Sequence, residues 1–211
     1  MKELIIMFVK LPIEGEVKTR LAKNTTFKFA TDIYKAFVED LLVVLETLDT
    51  DFILAFNKKE AHEFYKDYDF FIQEGVDLGE KMKNAFLYGF NKGYEKVILI
   101  GSDTPQLKNY DFNKALESLD KHDSVFGPAI DGGYYLVGFN QKSFKKECFE
   151  DIAWSTNRVL AQSLKKLISL HVKLLEEKND IDTIEDLEDF YTQNNFTCKN
   201  TNEFKYLFST F

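Results

Sequence analysis

The sequence predicts a single α/β domain, built as a three-layer sandwich in which helices cover both faces of a mostly parallel central sheet. Short apolar runs of strand length alternate with segments whose apolar residues recur every three or four positions, as on one face of a helix. The chain has 211 residues, of which 45% are hydrophobic and 29% charged, and these values suit one globular domain. Regular alternation of strands and helices favours a parallel sheet, because each connecting helix returns the chain to the same edge.

The first half of the chain contains four predicted strands. The run at residues 4–9 is continuously apolar, as expected for a strand covered on both faces, and the run at 97–100 has the same character. Two further strands are predicted at residues 52–56 and 70–72. Helical spacing predicts a helix from Thr25 or Thr26 to residue 48, a short helix at 60–65 and an amphipathic helix from Leu78 that ends at Gly93.

The second half continues the alternation and predicts three more strands. A helix at residues 112–119 precedes two strands, 124–129 and 134–139, which are joined by a Gly-Gly turn. A helix at 159–168, a last strand at 172–175 and a last helix at 184–191 follow. We therefore expect one domain at residues 1–195, and a polar and aromatic tail at 196–211 for which the sequence predicts no element.

The charge and the cysteines of the chain argue against several classes of protein. The formal net charge is −8, whereas a general nucleic-acid binder carries a basic face, so no nucleic-acid partner is expected. Cys148 and Cys198 form no C-x-x-C motif and indicate neither a zinc site nor a redox pair. The apolar run at 4–9 is too short for a signal-peptide core or a membrane span. We expect a cytoplasmic protein.

A basic loop after the first strand is a candidate phosphate-binding segment. In parallel sheets, ligands bind beyond the carboxyl ends of the strands, and this loop carries Lys10, Gly15, Lys18 and Arg20. Loop N–H groups and cationic side chains bind phosphate oxygens, and an arginine can do so through two parallel hydrogen bonds. The spacing is not that of a P-loop. An ordinary solvated loop with surface cations is the alternative interpretation.

Two aspartates are candidate ligands of a divalent metal. Asp103 follows the strand at 97–100, and Asp182, with Asp180 two positions before it, follows the last strand. Mg²⁺ prefers oxygen ligands and is commonly held by one or two carboxylates together with substrate phosphates, and Mn²⁺ behaves similarly. The alternatives are an Asx turn ahead of Pro105 for Asp103, and helix capping by Asp182 or Thr183.

The segment Asp131-Gly132-Gly133 lies between two predicted strands and is the third candidate. Two glycines allow the backbone to approach a sugar or phosphate closely, so Gly132 and Gly133 are candidate binding residues. Asp131 would then be a carboxylate that faces the ligand, and we expect it to contact the sugar or acceptor, as a base. An Asp-Gly pair between strands is also a strong hairpin signal, which needs no ligand.

The chain carries an ordered set of motifs: the loop 10–21, QEGVDLGEKM at 73–82, GSDTP at 101–105, GPAIDGGYYLVG at 127–138, WST at 154–156 and DIDTIEDL at 180–187. This set resembles the radical-SAM/selenodomain-associated glycosyltransferase-like family, and the resemblance covers roughly residues 3–190. The resemblance implies a GT-A-like nucleotide-diphospho-sugar transferase fold, and implies that Asp103 stands where that superfamily has a metal-binding aspartate. Two positions depart from the family pattern: Lys81 replaces an expected arginine, and Gln106 an expected acidic residue.

These observations lead to one expected function and two alternatives. We expect an enzyme that transfers a glycosyl group from a nucleotide sugar to an unidentified acceptor, with Mg²⁺ or Mn²⁺ as cofactor. Nucleotidyl transfer is the first alternative, because Lys18-Thr19-Arg20-Leu21 also looks like the phospholactate guanylyltransferase group, in which an NTP reacts and pyrophosphate leaves. A nucleotide-binding module without catalytic activity is the second alternative.

Overall fold

A seven-stranded sheet forms the centre of the molecule. The structure is a computed structural model that describes residues 2–193 and 197–208. The strands are β1 Glu3–Val9, β2 Asp51–Phe56, β3 Phe70–Ile72, β4 Lys96–Ile100, β5 Ser124–Pro128, β6 Tyr134–Asn140 and β7 Val172–Leu174. Their order in the sheet is β3-β2-β1-β4-β6-β5-β7, and β6 runs antiparallel to both of its neighbours while the other pairings are parallel. All seven predicted strands are confirmed, to within about two residues at their ends.

Helices cover both faces of this sheet. They are α1 Thr19–Ala22, α2 Phe27–Leu45, α3 Leu78–Asn91, α4 Asn109–Ser118, α5 Val159–Lys166, α6 Ile184–Thr192, α7 Lys199–Glu203 and α8 Lys205–Phe208. Residues Lys59–Phe64 form a 3₁₀ helix where a short helix was predicted. Within the described part of the chain, no helix is both long and apolar enough to cross a membrane.

The core has two main layers because side chains of a strand alternate between its faces. Ile5 and Met7 of β1 pack with α2 and α4 on one face, and Leu4 and Ile6 pack with α3 and its neighbours on the other. Burial on both faces explains why the sequences of β1 and β4 are nearly continuous apolar runs. The predicted three-layer α/β sandwich with a mostly parallel sheet is confirmed.

Local signals in the sequence explain where several helices begin. Thr26 accepts a hydrogen bond from the Phe29 N–H at the start of α2, at 3.0 Å. Thr183 and Asp186 form the capping box expected at α6, in which each side chain accepts from the other residue's N–H. The capping interpretation of Thr183 is therefore confirmed.

The C-terminal segment packs against α2, although no element was predicted there. The predicted boundary between residues 195 and 196 lies outside the described residues, but residues 197–208 beyond it form α7 and α8. Cys198 is buried in a third apolar cluster with Leu21, Ile33 and Ile181. This cluster lies behind α1 and the segment that follows β7, so it supports two segments that carry predicted site residues.

Candidate active site

A cavity of about 450 Å³ opens at the carboxyl ends of β1, β2, β3 and β4, the edge at which ligands were expected. Its size lies in the range of small-molecule sites. Five of the predicted site residues line it: Lys10, Asp103, Asp131, Gly133 and Asp182. The other four, which are Gly15, Lys18, Arg20 and Gly132, do not contribute to its wall.

The chain after β7 brings the two acidic segments together. Residues beyond β7 continue alongside β5, since Lys178 donates from its N–H to the Pro128 carbonyl at 3.1 Å. The Ile181 N–H then donates to the Asp103 carbonyl at 2.9 Å. Thr104 donates a short hydrogen bond to Asp180. Asp103, Asp180 and Asp182 consequently share one side of the cavity, although about 80 positions separate them in sequence.

Lys18 is a buried partner of these carboxylates. Its ammonium forms an ion pair with Asp103 and lies 2.9 Å from Asp182 Oδ1, and it donates to the Ile181 carbonyl at 2.7 Å. The Lys18 side chain is only 2% exposed. Burial opposes the charge of Lys18, but Asp103 and Asp182 outweigh it and raise the lysine pKa. In this conformation the ammonium points at the carboxylates and is withheld from direct contact with a phosphate in the cavity.

Arg20 and Gly15 lie outside the cavity wall. The Arg20 guanidinium is 3.7 Å from Asp182 Oδ2, and its side chain is 64% exposed. Gly15 occupies an exposed turn with φ of 82°, a left-handed conformation that favours glycine. Arg20 therefore lies beside the acidic cluster, as the expectation of a shared site requires, but reaches it from the solvent side.

Asp103 is held between two cationic side chains and a buried hydroxyl network. Burial opposes its ionisation, but Lys18 and Lys10 hold the pKa of this carboxyl below its usual value. Beside it, the Tyr34 hydroxyl lies 2.9 Å from Ser102 Oγ and accepts from the Lys10 N–H at 2.8 Å. Tyr34, which is fully buried in α2, thus joins the loop after β1 to the loop after β4.

Asp180 lies in the least neutralised part of the site. Burial, together with the charges of Asp103 and Asp131, raises the pKa of Asp180 to about 7, against the opposing effects of Thr104 and Lys18. Neither Asp180 nor Asp131 has a salt-bridge partner within residues 2–193 and 197–208. A cation that entered the cavity would meet unpaired carboxylate oxygens here.

The segment around Asp131 is both a hairpin and a cavity wall. Gly132 has φ of 88°, and a Cβ there would overlap the backbone of Asn157. The Gly133 N–H donates to Asp131 Oδ1 at 2.8 Å, which orients the carboxylate. The hairpin interpretation is confirmed, and it is compatible with a ligand-facing Asp131.

Several residues of the site have no role that the sequence alone predicts. Asn57 and Gln73 directly follow β2 and β3, so the rule that pointed to Asp103 could have identified them. Trp154 and Lys81 belong to motifs that were noticed but had no position in the predicted sheet. Tyr34 does not line the cavity but contacts Lys10 and Ser102 beside it. It lies inside an amphipathic helix, where a buried tyrosine resembles any other core residue.

The carboxylate oxygens in the cavity are suitable ligands for a hard divalent cation. Asp103, Asp131, Asp180 and Asp182 all line it and offer carboxylate oxygens. Across residues 2–193 and 197–208, no three His, Cys, Asp or Glu side chains are grouped closely enough to hold a metal by themselves. Such a site fits Mg²⁺ or Mn²⁺ that takes further oxygen ligands from water or from a substrate.

Comparison with known proteins places the chain in a family. Residues 36–156 match the model of DUF2064, described as an uncharacterized protein conserved in bacteria. The chain is also 35% identical to a protein of Desulfovibrio desulfuricans G20 that is provisionally assigned as a nucleotide-diphospho-sugar transferase. That match has a TM-score of 0.92 and covers 100% of this chain and 98% of the other. No curated protein matches the chain.

More distant structures share the fold. A cytidylyltransferase of Leptospira borgpetersenii serovar Hardjo-bovis is 12% identical, with a TM-score of 0.60, and the match covers 99% of this chain and 96% of the other. The 4-diphosphocytidyl-2C-methyl-D-erythritol synthase of Anaerococcus prevotii DSM 20548 is 14% identical, with a TM-score of 0.58 and coverage of 92% and 97%. At these identities the similarity shows the fold alone, and the fold is that of the nucleotide-diphospho-sugar transferases.

Proposed function

The chain belongs to the bacterial family DUF2064, and from that premise we propose that it is a transferase for nucleotide-linked diphosphates, with glycosyl transfer from a nucleotide sugar as its reaction. The whole-length similarity to a provisionally assigned nucleotide-diphospho-sugar transferase supports the substrate class. Membership of the radical-SAM/selenodomain-associated glycosyltransferase-like group stays a prediction.

The charge of the cavity wall is the observation that carries the proposal. Among the described residues, four aspartates and two lysines, Lys10 and Lys81, line the wall, and Lys18 and Arg20 offset the charge of Asp103 and Asp182 from outside it. Asp131 and Asp180 have no ion-pair partner among the described residues. A pair of like unit charges 4 Å apart repels by about 4 kcal/mol at an effective dielectric of 20, so these two carboxylates would repel a diphosphate that entered alone. A diphosphate that enters together with a divalent cation satisfies the carboxylates and the phosphates at once. This is the combination that a metal-dependent nucleotide-sugar site requires.

We assign the metal to Asp103 and Asp180. Asp182, the other predicted ligand, has Lys18 on one oxygen and Arg20 near the second, whereas Asp180 has no cationic partner among the residues described. When bound, Mg²⁺ or Mn²⁺ supplies Lewis-acid stabilisation of the charge on a leaving diphosphate. Lys18 is a positioning residue in this scheme, because it fixes Asp103 and Asp182.

The protein's own side chains account for the remaining steps. Lys10 on the cavity wall binds phosphate oxygens, and Arg20 approaches them from the solvent side. The bond from the anomeric carbon to the diphosphate oxygen breaks, and a bond from that carbon to the acceptor oxygen forms. Asp131 takes the acceptor's proton, and the nucleoside diphosphate leaves.

Nucleotidyl transfer is the second candidate, and the shared fold with cytidylyltransferases favours it. A product assay separates the two reactions. The protein is incubated with nucleotide sugars or NTPs and with Mg²⁺ or Mn²⁺, while water or added sugars serve as acceptors. We expect release of nucleoside diphosphate from a nucleotide sugar. Release of pyrophosphate from an NTP, with no reaction of any nucleotide sugar, would establish the second candidate instead.

Two variants control this assay. Asp103→Asn should abolish diphosphate release, because it removes a carboxylate from the proposed metal site. Asp49→Asn should leave the reaction unchanged, since Asp49 is exposed before β2, at the opposite edge of the sheet. If no nucleotide, with or without metal, raises the melting temperature of the protein, the proposed substrate class is wrong.

A further inference from the structure

The two ends of the cavity offer different chemistry to a ligand. At one end, which we call the amide end, Asn57 and Gln73 follow the neighbouring strands β2 and β3. The Leu11 N–H donates to Asn57 Oδ1 at 2.6 Å, and Gln73 Nε2 donates to the Ala55 carbonyl at 2.7 Å. Within the described ranges, Asn57 Nδ2 and Gln73 Oε1 have no partner. One donor and one acceptor, both held in place, suit the polar edge of a nucleobase.

The part of the cavity beside the start of β6 is apolar and aromatic, and we call it the other end because β1 and β4 separate β6 from β2 in the sheet. Trp154 and Tyr134 line it together with Leu78, Met82 and Val159, and we call these five residues the aromatic wall. Tyr134 is itself fixed, since its ring packs edge-on against Phe126 with centroids 5.1 Å apart. Asp131 lies on the cavity wall as well, so a ligand at this end has both an aromatic surface and a carboxylate available.

The backbone holds Trp154 in its place at the cavity. Its indole packs against the first turn of α3 at Gly79, where an added Cβ would lie 2.9 Å from indole Cζ2 and 3.0 Å from indole Nε1. The backbone N–H of Trp154 donates to the Ile152 carbonyl at 2.9 Å, and the Thr156 hydroxyl donates to the Ala153 carbonyl at 2.7 Å. Ser155 between them has φ of 61°, an uncommon conformation for a residue other than glycine. The tryptophan is therefore preorganised rather than loosely attached to the rim.

The polar groups around this tryptophan have unused hydrogen-bonding capacity. In residues 2–193 and 197–208 the indole N–H of Trp154 has no acceptor, although tryptophan N–H groups in proteins usually find one. The hydroxyl of Ser155 has no protein partner in the same ranges, and the Thr156 hydroxyl, which already accepts from the Arg158 N–H at 3.3 Å, can accept one further hydrogen bond. A ligand here must present an apolar face to the ring and hydrogen-bonding groups at its edge. A sugar ring, with its C–H face and its hydroxyl groups, has this combination.

We propose that the aromatic wall binds the sugar ring of a nucleotide sugar, stacked on Trp154, while the nucleobase occupies the amide end. This inference rests on the proposed function and deepens it, because it assigns the transferred group to a defined part of the cavity. The acidic residues Asp103 and Asp180 then line the cavity near the diphosphate that joins the two groups.

The protein contains one tryptophan, so its intrinsic tryptophan emission reports directly on this wall. The native protein is titrated with UDP, GDP, ADP and dTDP, and with the corresponding nucleotide sugars UDP-glucose, GDP-mannose, ADP-glucose and dTDP-glucose, in Mg²⁺ or Mn²⁺. Binding is measured by calorimetry and by thermal shift. We expect one nucleotide sugar to change the emission and to bind about tenfold more tightly than its nucleoside diphosphate. The nucleoside diphosphate should bind with little change in emission.

Variants at the two ends separate the contributions. Trp154→Ala should reduce the affinity for the nucleotide sugar to that for the nucleoside diphosphate, whose own affinity is retained, and Trp154→Phe should keep part of the advantage. Gln73→Ala is the matched control, and should weaken both ligands by the same factor. Retained diphosphate affinity also shows that Trp154→Ala remains folded.

Other outcomes overturn the inference in distinguishable ways. If nucleoside diphosphates bind and change the emission as strongly as nucleotide sugars do, the base stacks on Trp154, and the assignment of the two ends is wrong. If the sugar adds no affinity, the aromatic wall is not a sugar subsite, but the proposed nucleotide site stands. If neither class of ligand binds, the proposed function fails together with the inference.

Discussion

The acidic centre of the cavity contains two pairs of carboxylates, and only one pair is neutralised by a cationic side chain in the described part of the chain. Asp103 and Asp182, the paired carboxylates, share the buried ammonium of Lys18. Asp131 and Asp180, the open carboxylates, line the same cavity without an ion-pair partner in the described part of the chain. The pKa of Asp103 is accordingly lowered, while that of Asp180 is raised to about 7.

This difference shows that cations counted in a sequence are not all available to a ligand. Lys18 lies in a basic loop and looks like a phosphate-binding residue, yet its ammonium forms a buried ion pair with Asp103. It orders Asp103, whose remaining oxygen can face a ligand. The open carboxylates supply the negative charge that attracts a metal. The paired carboxylates are held in position by Lys18, whereas the open carboxylates provide the negative charge that a bound cation would neutralise.

Removing Lys18 tests the paired side and should have the largest effect. Lys18→Met keeps the length of the apolar part of the side chain but leaves Asp103 and Asp182 without their shared cation. Breaking a buried ion pair costs about 3–5 kcal/mol, so the free energy of unfolding should fall by that amount in urea denaturation.

Arg20→Met provides the control for this substitution. Arg20 also approaches Asp182, but it is largely exposed, and exposed ion pairs contribute about 0–1 kcal/mol. Its removal should leave stability nearly unchanged while it weakens nucleotide binding. If Lys18→Met is as stable as Arg20→Met, the lysine does not anchor the carboxylates.

Asp40 shows a third way to hold a buried carboxylate, and its removal should have a smaller effect. It accepts hydrogen bonds from the Asn200 N–H and side-chain amide at 2.9 and 3.1 Å, and from the Thr201 N–H and hydroxyl at 2.9 and 2.6 Å. Asp40→Asn turns an amide donor toward these donors and should cost about 2 kcal/mol. Urea denaturation measures the loss, and limited proteolysis should show cleavage near α7.

The exposed Asp49→Asn variant should show neither change. Since Cys198, directly before α7, packs in one apolar cluster with Leu21 of α1 and with Ile181 after β7, we propose that residues 197–208 belong to the same folded unit as the domain. Release of α7 without any loss of stability would show instead that the tail is an independent appendage.

The fold was predictable because its signals are local and repeated. Continuous apolar runs predicted β1 and β4, helical spacing predicted α2 and α3, and the pair Thr183 and Asp186 predicted the start of α6. The C-terminal helices were not predicted, because α7 and α8 are only five and four residues long and depend on tertiary contacts such as those of Asp40.

The position of the site was predictable, but the ion pairs and hydrogen bonds between its residues were not. The rule that ligands bind beyond the carboxyl ends of parallel strands placed Lys10 and Asp103 in one cavity. It could not predict that Lys18 turns inward, which depends on a left-handed conformation with φ of 47° and on a carbonyl 163 positions away. For the same reason the sequence did not separate Asp180 from Asp182, because both follow β7 and differ only in their tertiary partners.

The last expected effect is a change of slope with pH, rather than a loss of stability at one pH, and it tests the open side. The pKa of Asp180 is about 7 in the folded protein and near 3.8 in an unfolded chain. Between about pH 4 and pH 7 the folded state therefore keeps a proton that the unfolded state has released. The free energy of unfolding of the metal-free protein should thus gain a contribution from Asp180 that is fully present below pH 4 and is lost as the pH rises to 7.

Asp180→Asn has no proton to lose at this position, so its stability should vary less with pH across that window, as measured by urea denaturation at a series of pH values. Asp49→Asn should keep the slope of the native protein. Because a bound cation favours the ionised form of Asp180, Mg²⁺ or Mn²⁺ should stabilise the native protein more at pH 7.5 than at pH 5, and Asp180→Asn should lose most of that difference. Parallel pH profiles for the native protein and Asp180→Asn would mean that Asp180 is ionised throughout, and the contrast between paired and open carboxylates would then have to rest on geometry alone.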